Sequence, residues 1–304
     1  MAVRDRLMPH QTFLTVAGIS LQFSSDRAEY LCNEHPAYAC FLNRSDSVVD
    51  PFPVQLVPDS APVVDRIRQI FDARPSWALW SLEQGGQRLV RRPPDGTHEL
   101  EALWTADISD GSAVVYHPEV IGPTAVLGYP LDQFLIVKRL VEAAGILLHA
   151  AAVVVGGRGY VFAGRSGAGK STISRLFEGD DRVEVITDDR CVLRFVGDVP
   201  YVFGTPWPGE GGHARYGGVP LGGLFVLEKG ESERIDDFAS ARGLDALLPM
   251  ISIPWYESEA FSPCLETLSR VLEGYSVRQL YFGLSGRAAD FLVDQIAGPG
   301  GESP

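Results

Sequence analysis

The chain of 304 residues is long enough for one large domain or two ordinary ones, each with a buried core. Its hydrophobic content of 45% and charged content of 21% are typical of a globular protein. The net charge of −13 argues against nucleic acid and against anionic membranes as partners, since both attract basic surfaces. Because no signal-peptide pattern and no membrane-spanning apolar stretch is present, the expected location is the cytoplasm.

The four cysteines contain no C-x-x-C pair. Cys32 and Cys40 flank His35, a pattern that raises the question of a metal site. Too few further ligands stand nearby, so structural thiols are the favoured interpretation for these two and for Cys191 and Cys264.

Residues 1–125 are expected to form a smaller β-rich domain with no catalytic constellation. Residues 12–23 carry β-branched and aromatic side chains around a turn at Gly18, and residues 77–90 have the pattern of a hairpin. Between them, residues 61–73 predict a helix, because five apolar residues recur at helical spacing: Val63, Val64, Ile67, Ile70 and Phe71.

Residues 126–297 are expected to form a second, α/β domain with a mixed sheet. A helix is predicted from Leu131 to Ala144, ended by Gly145, and is followed by an apolar strand over 146–155. Further strands are predicted at 159–163, 183–187, 201–203, 222–229 and 277–282, with a helix over 264–272. The Gly- and Pro-rich residues 298–304 predict a flexible tail.

A phosphate-binding motif lies between the strand at 159–163 and a helical pattern beginning near Lys170. It fits G-x-x-x-x-G-K-[ST] in the required strand–loop–helix context. Such a loop aims backbone N–H groups at an anion beside a helix N-terminus. Its nine residues are the predicted nucleotide contacts: Gly164, Arg165, Ser166, Gly167, Ala168, Gly169, Lys170, Ser171 and Thr172.

Within this loop two side chains have specific expected roles. Lys170 is placed to reach the β- and γ-phosphates, and the Ser171 hydroxyl is placed to bind Mg²⁺. The expected cofactors are therefore ATP, or GTP in its place, and Mg²⁺. The alternative is an ordinary Gly-rich turn.

Asp188 and Asp189 end the strand predicted at 183–187. Strand C-termini gather at the ligand edge of parallel sheets, so this pair is expected to face the phosphate loop. Two adjacent carboxylates allow one to hold the metal while the other accepts the proton of an attacking hydroxyl. Asp188 is the candidate metal ligand, and either Asp188 or Asp189 is the candidate base. The alternative is a turn on a solvated edge.

Two further regions supply candidate residues. His149 lies in an apolar strand expected to neighbour the strand of the loop; it is either an active-site group or a satisfied core histidine. Residues 204–215 carry many glycines and prolines, which favours a mobile loop closing on substrate, with a rigid Pro-rich connection stacked on Trp207 as the alternative. Within this loop Glu210 is a candidate metal ligand, and Arg215 is a candidate catalytic residue that neutralises phosphate charge.

These motifs together are similar to a known family. The segment from His149 to about Leu284 resembles the HPr kinase/phosphorylase group, and more specifically kinase-related proteins that share its phosphoenolpyruvate-carboxykinase-like P-loop fold. The resemblance rests on five pieces in order: LHAA at 148–151, GRSGAGKST at 164–172, TDD at 187–189, GTPWPGEG at 204–211 and the strand near 279–282.

The resemblance implies specific roles. Lys170 and Ser171 would contact phosphate and magnesium, Asp188 and Asp189 would be metal ligand and base, and His149 would be an active-site residue. The R-G-x-G type segment that HPr kinases carry after the Asp pair is missing here. HPr as acceptor and the phosphorylase reaction therefore do not follow from the resemblance.

The leading hypothesis is a kinase that transfers the γ-phosphoryl group to a seryl-type hydroxyl on a peptide, a protein or a small metabolite. Its partners would be the nucleotide and that acceptor, and a homo-oligomer is compatible with the sequence. The main alternative is a nucleotide-binding regulatory or assembly protein that transfers nothing. A carboxykinase-type reaction on a carboxylic acid is the third hypothesis.

Overall fold

The structure is a computed structural model that describes residues 10–43, 50–93, 102–118, 126–230, 232–238, 240–254, 256–257, 259–283 and 288–297. The predicted tail at 298–304 lies outside these residues. The chain is a mixed α/β protein with two large mixed sheets and few helices. It divides into two compact units, Met1–Ile136 and Val137–Pro304, whereas the sequence predicted the division near residue 125.

In the first unit eight strands form a single sheet. They are β1 (His10–Val16), β2 (Ile19–Ser25), β3 (Phe52–Val57), β4 (Arg66–Ala73), β5 (Trp77–Leu82), β6 (Gln87–Arg91), β7 (Trp104–Ile108) and β8 (Ala113–Tyr116). Their order is β1-β2-β3-β8-β7-β6-β5-β4, with parallel pairs at β2–β3 and β3–β8. The hairpin predicted over 77–90 is β5–β6, and the turn predicted at Gly18 joins β1 to β2.

The helix predicted over residues 61–73 is wrong. Residues 66–73 form the edge strand β4, which pairs antiparallel with β5. The register shifts twice, between Arg66 and Arg68 and between Gln69 and Phe71. Each bulge inserts an extra residue, and the residues left out of the pairing are Ile67 and Ile70. The apolar spacing of three and four in the sequence is therefore not evidence of a helix here.

The second unit carries the remaining elements. Its strands are β9 (Gly145–Val155), β10 (Arg158–Ala163), β11 (Val183–Thr187), β12 (Arg190–Val196), β13 (Val199–Phe203), β14 (Gly218–Lys229), β15 (Arg234–Asp237) and β16 (Val277–Phe282). Its helices are α2 (Lys170–Leu176), α3 (Ser240–Leu247), α4 (Phe261–Gly274) and α5 (Ala288–Ala297), while α1 (Leu131–Glu142) spans the division between the units. The predicted helix at 131–144 and the predicted strands of this region are confirmed. None of the helices in the described part of the chain is long and apolar enough to cross a bilayer.

Two apolar cores cover opposite faces of the central strands. Alternate residues of β9 divide between them: Ala150 and Ala152 belong to one core, Ala151 and Val153 to the other. Helix α4 packs in the first core and helices α2 and α5 in the second. Burial on both faces explains why β9 is an almost unbroken apolar run rather than an alternating one.

The strand directions decide where the site forms. Strands β10, β14 and β16 are parallel neighbours, and β9 runs antiparallel to both β10 and β11. Strands β10 and β11 therefore point the same way although β9 lies between them. Their C-terminal ends share one edge of the sheet with those of β14 and β16.

Candidate active site

The predicted phosphate loop lies between β10 and α2, as the sequence indicates. Gly167 and Gly169 have φ values of +80° and +108°, which L-residues rarely adopt. A Cβ atom on Gly169 would lie 2.5 Å from Cζ of Phe282, at the end of β16. The loop is thus held in its turn both by its own glycines and by an aromatic ring behind it.

Lys170 is folded back onto the loop that precedes it. Its side-chain nitrogen donates to the carbonyl oxygens of Gly164, at 2.9 Å, and Arg165, at 3.3 Å. The residue is 7% exposed, and burial lowers the pKa of the ammonium below its ordinary value, although the Asp189 charge acts in the opposite direction. Because an ammonium has three donors, it keeps capacity for phosphate oxygens in this position.

His149 and Asp189 form a direct pair. His149 Nε2 lies 2.8 Å from Oδ1 of Asp189, and Arg190 Nε lies 3.2 Å from Oδ2. The register explains the contact, since His149 is paired with Arg190 across β9 and β12, while Ala150 is paired with Ala163 at the end of β10. The His149 side chain is 33% exposed, so it does not lie in the closed core.

The surroundings of Asp189 favour its charged form. Burial raises the pKa of Asp189, but the hydrogen bond with His149 and the charges of Arg190 and Lys170 outweigh burial and hold it below its ordinary value. An ionised carboxylate only accepts hydrogen bonds, so His149 Nε2 carries the proton and donates it. Asp189 is thereby oriented by one hydrogen bond and one ion pair and keeps lone pairs for a further donor.

Asp188 is placed differently from its neighbour. The residue is 1% exposed, and its two carboxylate oxygens accept backbone N–H groups of Gly209, at 2.9 Å, and Gly211, at 2.6 Å. The segment after β13 is thus tied to the end of β11. Thr205 Oγ1 also donates to the carbonyl of Arg190, at 2.7 Å, which anchors the same segment near its start.

The other two candidates of this segment lie apart from each other. The Glu210 side chain is 83% exposed and forms a long ion pair, at 3.4 Å, with Arg175 of α2. Arg215 Nε contacts Glu184 Oε1 at 2.6 Å, and its backbone N–H donates to the carbonyl of Ile186. The Arg215 guanidinium therefore forms an ion pair with a glutamate of β11.

One cavity of about 770 Å³ unites most of these groups, a volume within the range of small-ligand sites. Loop residues 166, 167 and 169–172 line it together with His149, Asp189, Gly209 and Glu210. Asp188 and Arg215 are not among its lining residues. Sequence reasoning missed five others: Arg175, Lys229, Gly230, Phe282 and Gly283. The only available signal was that most of them follow or end predicted strands, at the edge where such sites gather.

The oxygen donors of the cavity suit magnesium bound together with a nucleotide. In the described part of the chain no three His, Cys, Asp or Glu residues cluster closely enough to hold a metal by themselves. Mg²⁺ bound with a nucleotide needs only one or two protein ligands, because phosphates and waters complete its shell. Ser171, Asp189 and Glu210 supply oxygen donors to one cavity and therefore fit that mode of binding.

Comparison with known proteins leaves the site to be interpreted from its chemistry. No protein-family model matches the chain, and no curated protein matches it.

Proposed function

We propose that this chain is an ATP- and magnesium-dependent kinase that transfers the γ-phosphoryl group to a hydroxyl acceptor. The fold type we assign to residues 137–297 is the phosphoenolpyruvate-carboxykinase-like P-loop kinase domain, as the resemblance to the HPr kinase/phosphorylase group implies. The observation that carries the proposal is the single cavity in which the phosphate loop and the His149–Asp189 pair face the same space.

The roles in transfer follow from the contacts. The loop N–H groups and Lys170 bind the phosphates, and Lys170 stabilises the charge that spreads over the transferred group. Asp189 accepts the hydroxyl proton as the acceptor oxygen bonds to phosphorus and the bond from phosphorus to the bridging oxygen of ADP breaks. His149 and Arg190 hold the Asp189 carboxylate in place for this step.

The low pKa of Asp189 is compatible with the role of a base. Phosphoryl transfer passes through a loose transition state, in which the acceptor oxygen has bonded little to phosphorus and a strong base is not required. Magnesium, when bound, would neutralise phosphate charge, with Ser171 and Glu210 as the protein groups placed to hold it.

Lys170→Met tests the donor side. We expect it to lower transfer from γ-labelled ATP to the peptides and metabolites of a cell extract by about a hundredfold or more, because one preorganised cation is lost. Lys138→Met is the matched control, since Lys138 pairs with Glu257 at 3.0 Å and does not line the cavity. Full activity of Lys170→Met alongside a wild-type melting temperature would contradict the proposal.

Asp189→Asn tests the acceptor side. We expect ATP binding to persist while transfer falls by about 10²–10⁴-fold, the usual contribution of a positioned base. Label that never leaves ATP, in wild type as in the variant, would instead support the nucleotide-binding regulator. Dependence on oxaloacetate would support the carboxykinase reaction.

A further inference from the structure

We infer that Asp188 is a positioning residue whose carboxylate holds the turn from Gly209 to Gly211, so that Glu210 stands at the rim of the phosphate cavity. The inference rests on the proposed function for its catalytic consequence. It reverses the expected division of the Asp pair, in which Asp188 holds the metal.

The first argument is the geometry of the carboxylate. Oδ1 accepts the N–H of Gly209 and Oδ2 accepts the N–H of Gly211, so the two oxygens hold the residues on either side of Glu210. The carbonyl of Gly209 accepts the N–H of Gly212, at 3.2 Å, which closes the turn. One carboxylate therefore fixes the peptide that carries Glu210.

The second argument is burial. Asp188 is 1% exposed, and a buried carboxylate needs hydrogen-bond donors in place of water. The two backbone N–H groups supply them, and charge-assisted bonds of this kind are the strong ones. Asp189, one residue on, lines the cavity and Asp188 does not.

The third argument is the sequence of the turn itself. A Cβ atom on either Gly209 or Gly211 would lie 2.9 Å from Asp188 Oδ2. Only glycine lets the backbone approach the carboxylate this closely at both positions. The glycines flanking Glu210 thus serve the contact with Asp188.

The consequence concerns Glu210. Its ion pair with Arg175 spans 3.4 Å between two largely exposed side chains and contributes little to its placement. The backbone turn is then what places Glu210 beside the phosphate loop. Release of the turn would remove Glu210 from the cavity while leaving the loop and the His149–Asp189 pair intact.

Hydrogen–deuterium exchange of the full chain without ligands tests the positioning directly. In Asp188→Asn, we expect exchange in peptides covering residues 204–215 to rise about tenfold or more, since one acceptor oxygen is replaced by a donor. Asp189→Asn is the matched control and should leave that segment as in wild type. Equal exchange in Asp188→Asn and wild type would overturn the inference.

Kinetics separate positioning from metal binding. We expect Asp188→Asn to lower kcat by about tenfold or more, with the ATP dissociation constant unchanged within about twofold and the half-saturating Mg²⁺ concentration raised no more than by Glu210→Gln alone. Adding Glu210→Gln should cause no further loss in that background, although alone it lowers kcat. A rise of about tenfold in half-saturating Mg²⁺ for Asp188→Asn, with unchanged exchange, would restore the metal role.

A second variant covers the case in which Asp188→Asn does not fold. Gly211→Ala pushes the turn away from Oδ2 while keeping the carboxylate, and we expect the same local rise in exchange. Unchanged exchange there would also refute the contact. Because exchange is read without nucleotide or acceptor, a chain that transfers no phosphoryl group would refute the proposed function and leave this result standing.

Discussion

Gly169→Ala is the substitution whose effect the structure specifies most closely. Gly169 opens α2 with φ of +108° and ψ of +18°, a conformation that costs an L-residue about 1–3 kcal/mol. The added methyl group would also lie 2.5 Å from Cζ of Phe282, whose ring is buried at 4% exposure. Overpacking of this kind costs about 1–3 kcal/mol, so the free energy of unfolding should fall by about 2–6 kcal/mol.

Gly167→Ala is the matched control within the same loop. Its φ of +80° is also unfavourable for alanine, but nothing lies within 4 Å of the added Cβ. We therefore expect Gly169→Ala to be the more destabilised variant by about 1–3 kcal/mol, the cost of the overlap alone. Replacing Phe282 by leucine should recover part of this difference in Gly169→Ala and none in Gly167→Ala.

Urea unfolding of the full chain, followed at the transition of the unit at 137–304, measures the difference between the two glycine variants. At a common slope of about 2 kcal/mol per molar urea, the difference corresponds to a midpoint shift of about 0.5–1.5 M. Equal midpoints for the two glycine variants would refute the reasoning, because they would mean that the Phe282 ring does not support the phosphate loop.

Two further predictions concern charged groups of the site. Because the folded pKa of Asp189 is depressed, its contribution to stability is present above the ordinary carboxyl value of 3.8 and lost as the pH falls through the folded value. The stability deficit of Asp189→Asn, measured by urea unfolding, should therefore shrink from about pH 5 to about pH 3, and a deficit that grew on acidification would contradict this. Arg215→Gln removes the partly exposed pair with Glu184 and should cost about 0.2–1 kcal/mol of stability, with kcat lowered less than about tenfold. A fall of about a hundredfold or more in kcat would restore the sequence-based role of Arg215 in neutralising phosphate charge.

Most elements of the second unit could be predicted because their signals are local. The apolar run of β9, the glycines of the loop and the end of α1 before Gly145 each follow from neighbouring residues. The prediction for β4 failed because its apolar spacing depends on two bulges against β5. A bulge is defined by pairing with another strand, so no single segment reveals it.

For the site, the sequence predicted which residue types belong together and not how they divide their work. Asp188 and Asp189 are chemically identical in the sequence, and the roles assigned there followed from their position after β11. Their different surroundings come from the turn at Gly209–Gly211 and from His149 on β9. Those partners lie about twenty and forty residues away along the chain.

The sequence alone predicts the loop at 164–172 and its place between a strand and a helix, because the geometry of such a loop is built from consecutive backbone N–H groups and a helix start. The tertiary structure decided which carboxylate faces that loop. Antiparallel pairing of β9 with both β10 and β11 brings the ends of β10 and β11 to one edge. The pairing of His149 with Arg190 then places Asp189 at the cavity. Asp188 does not line the cavity and instead accepts backbone N–H groups. Such choices depend on contacts between distant segments, which only the folded chain brings within hydrogen-bonding distance.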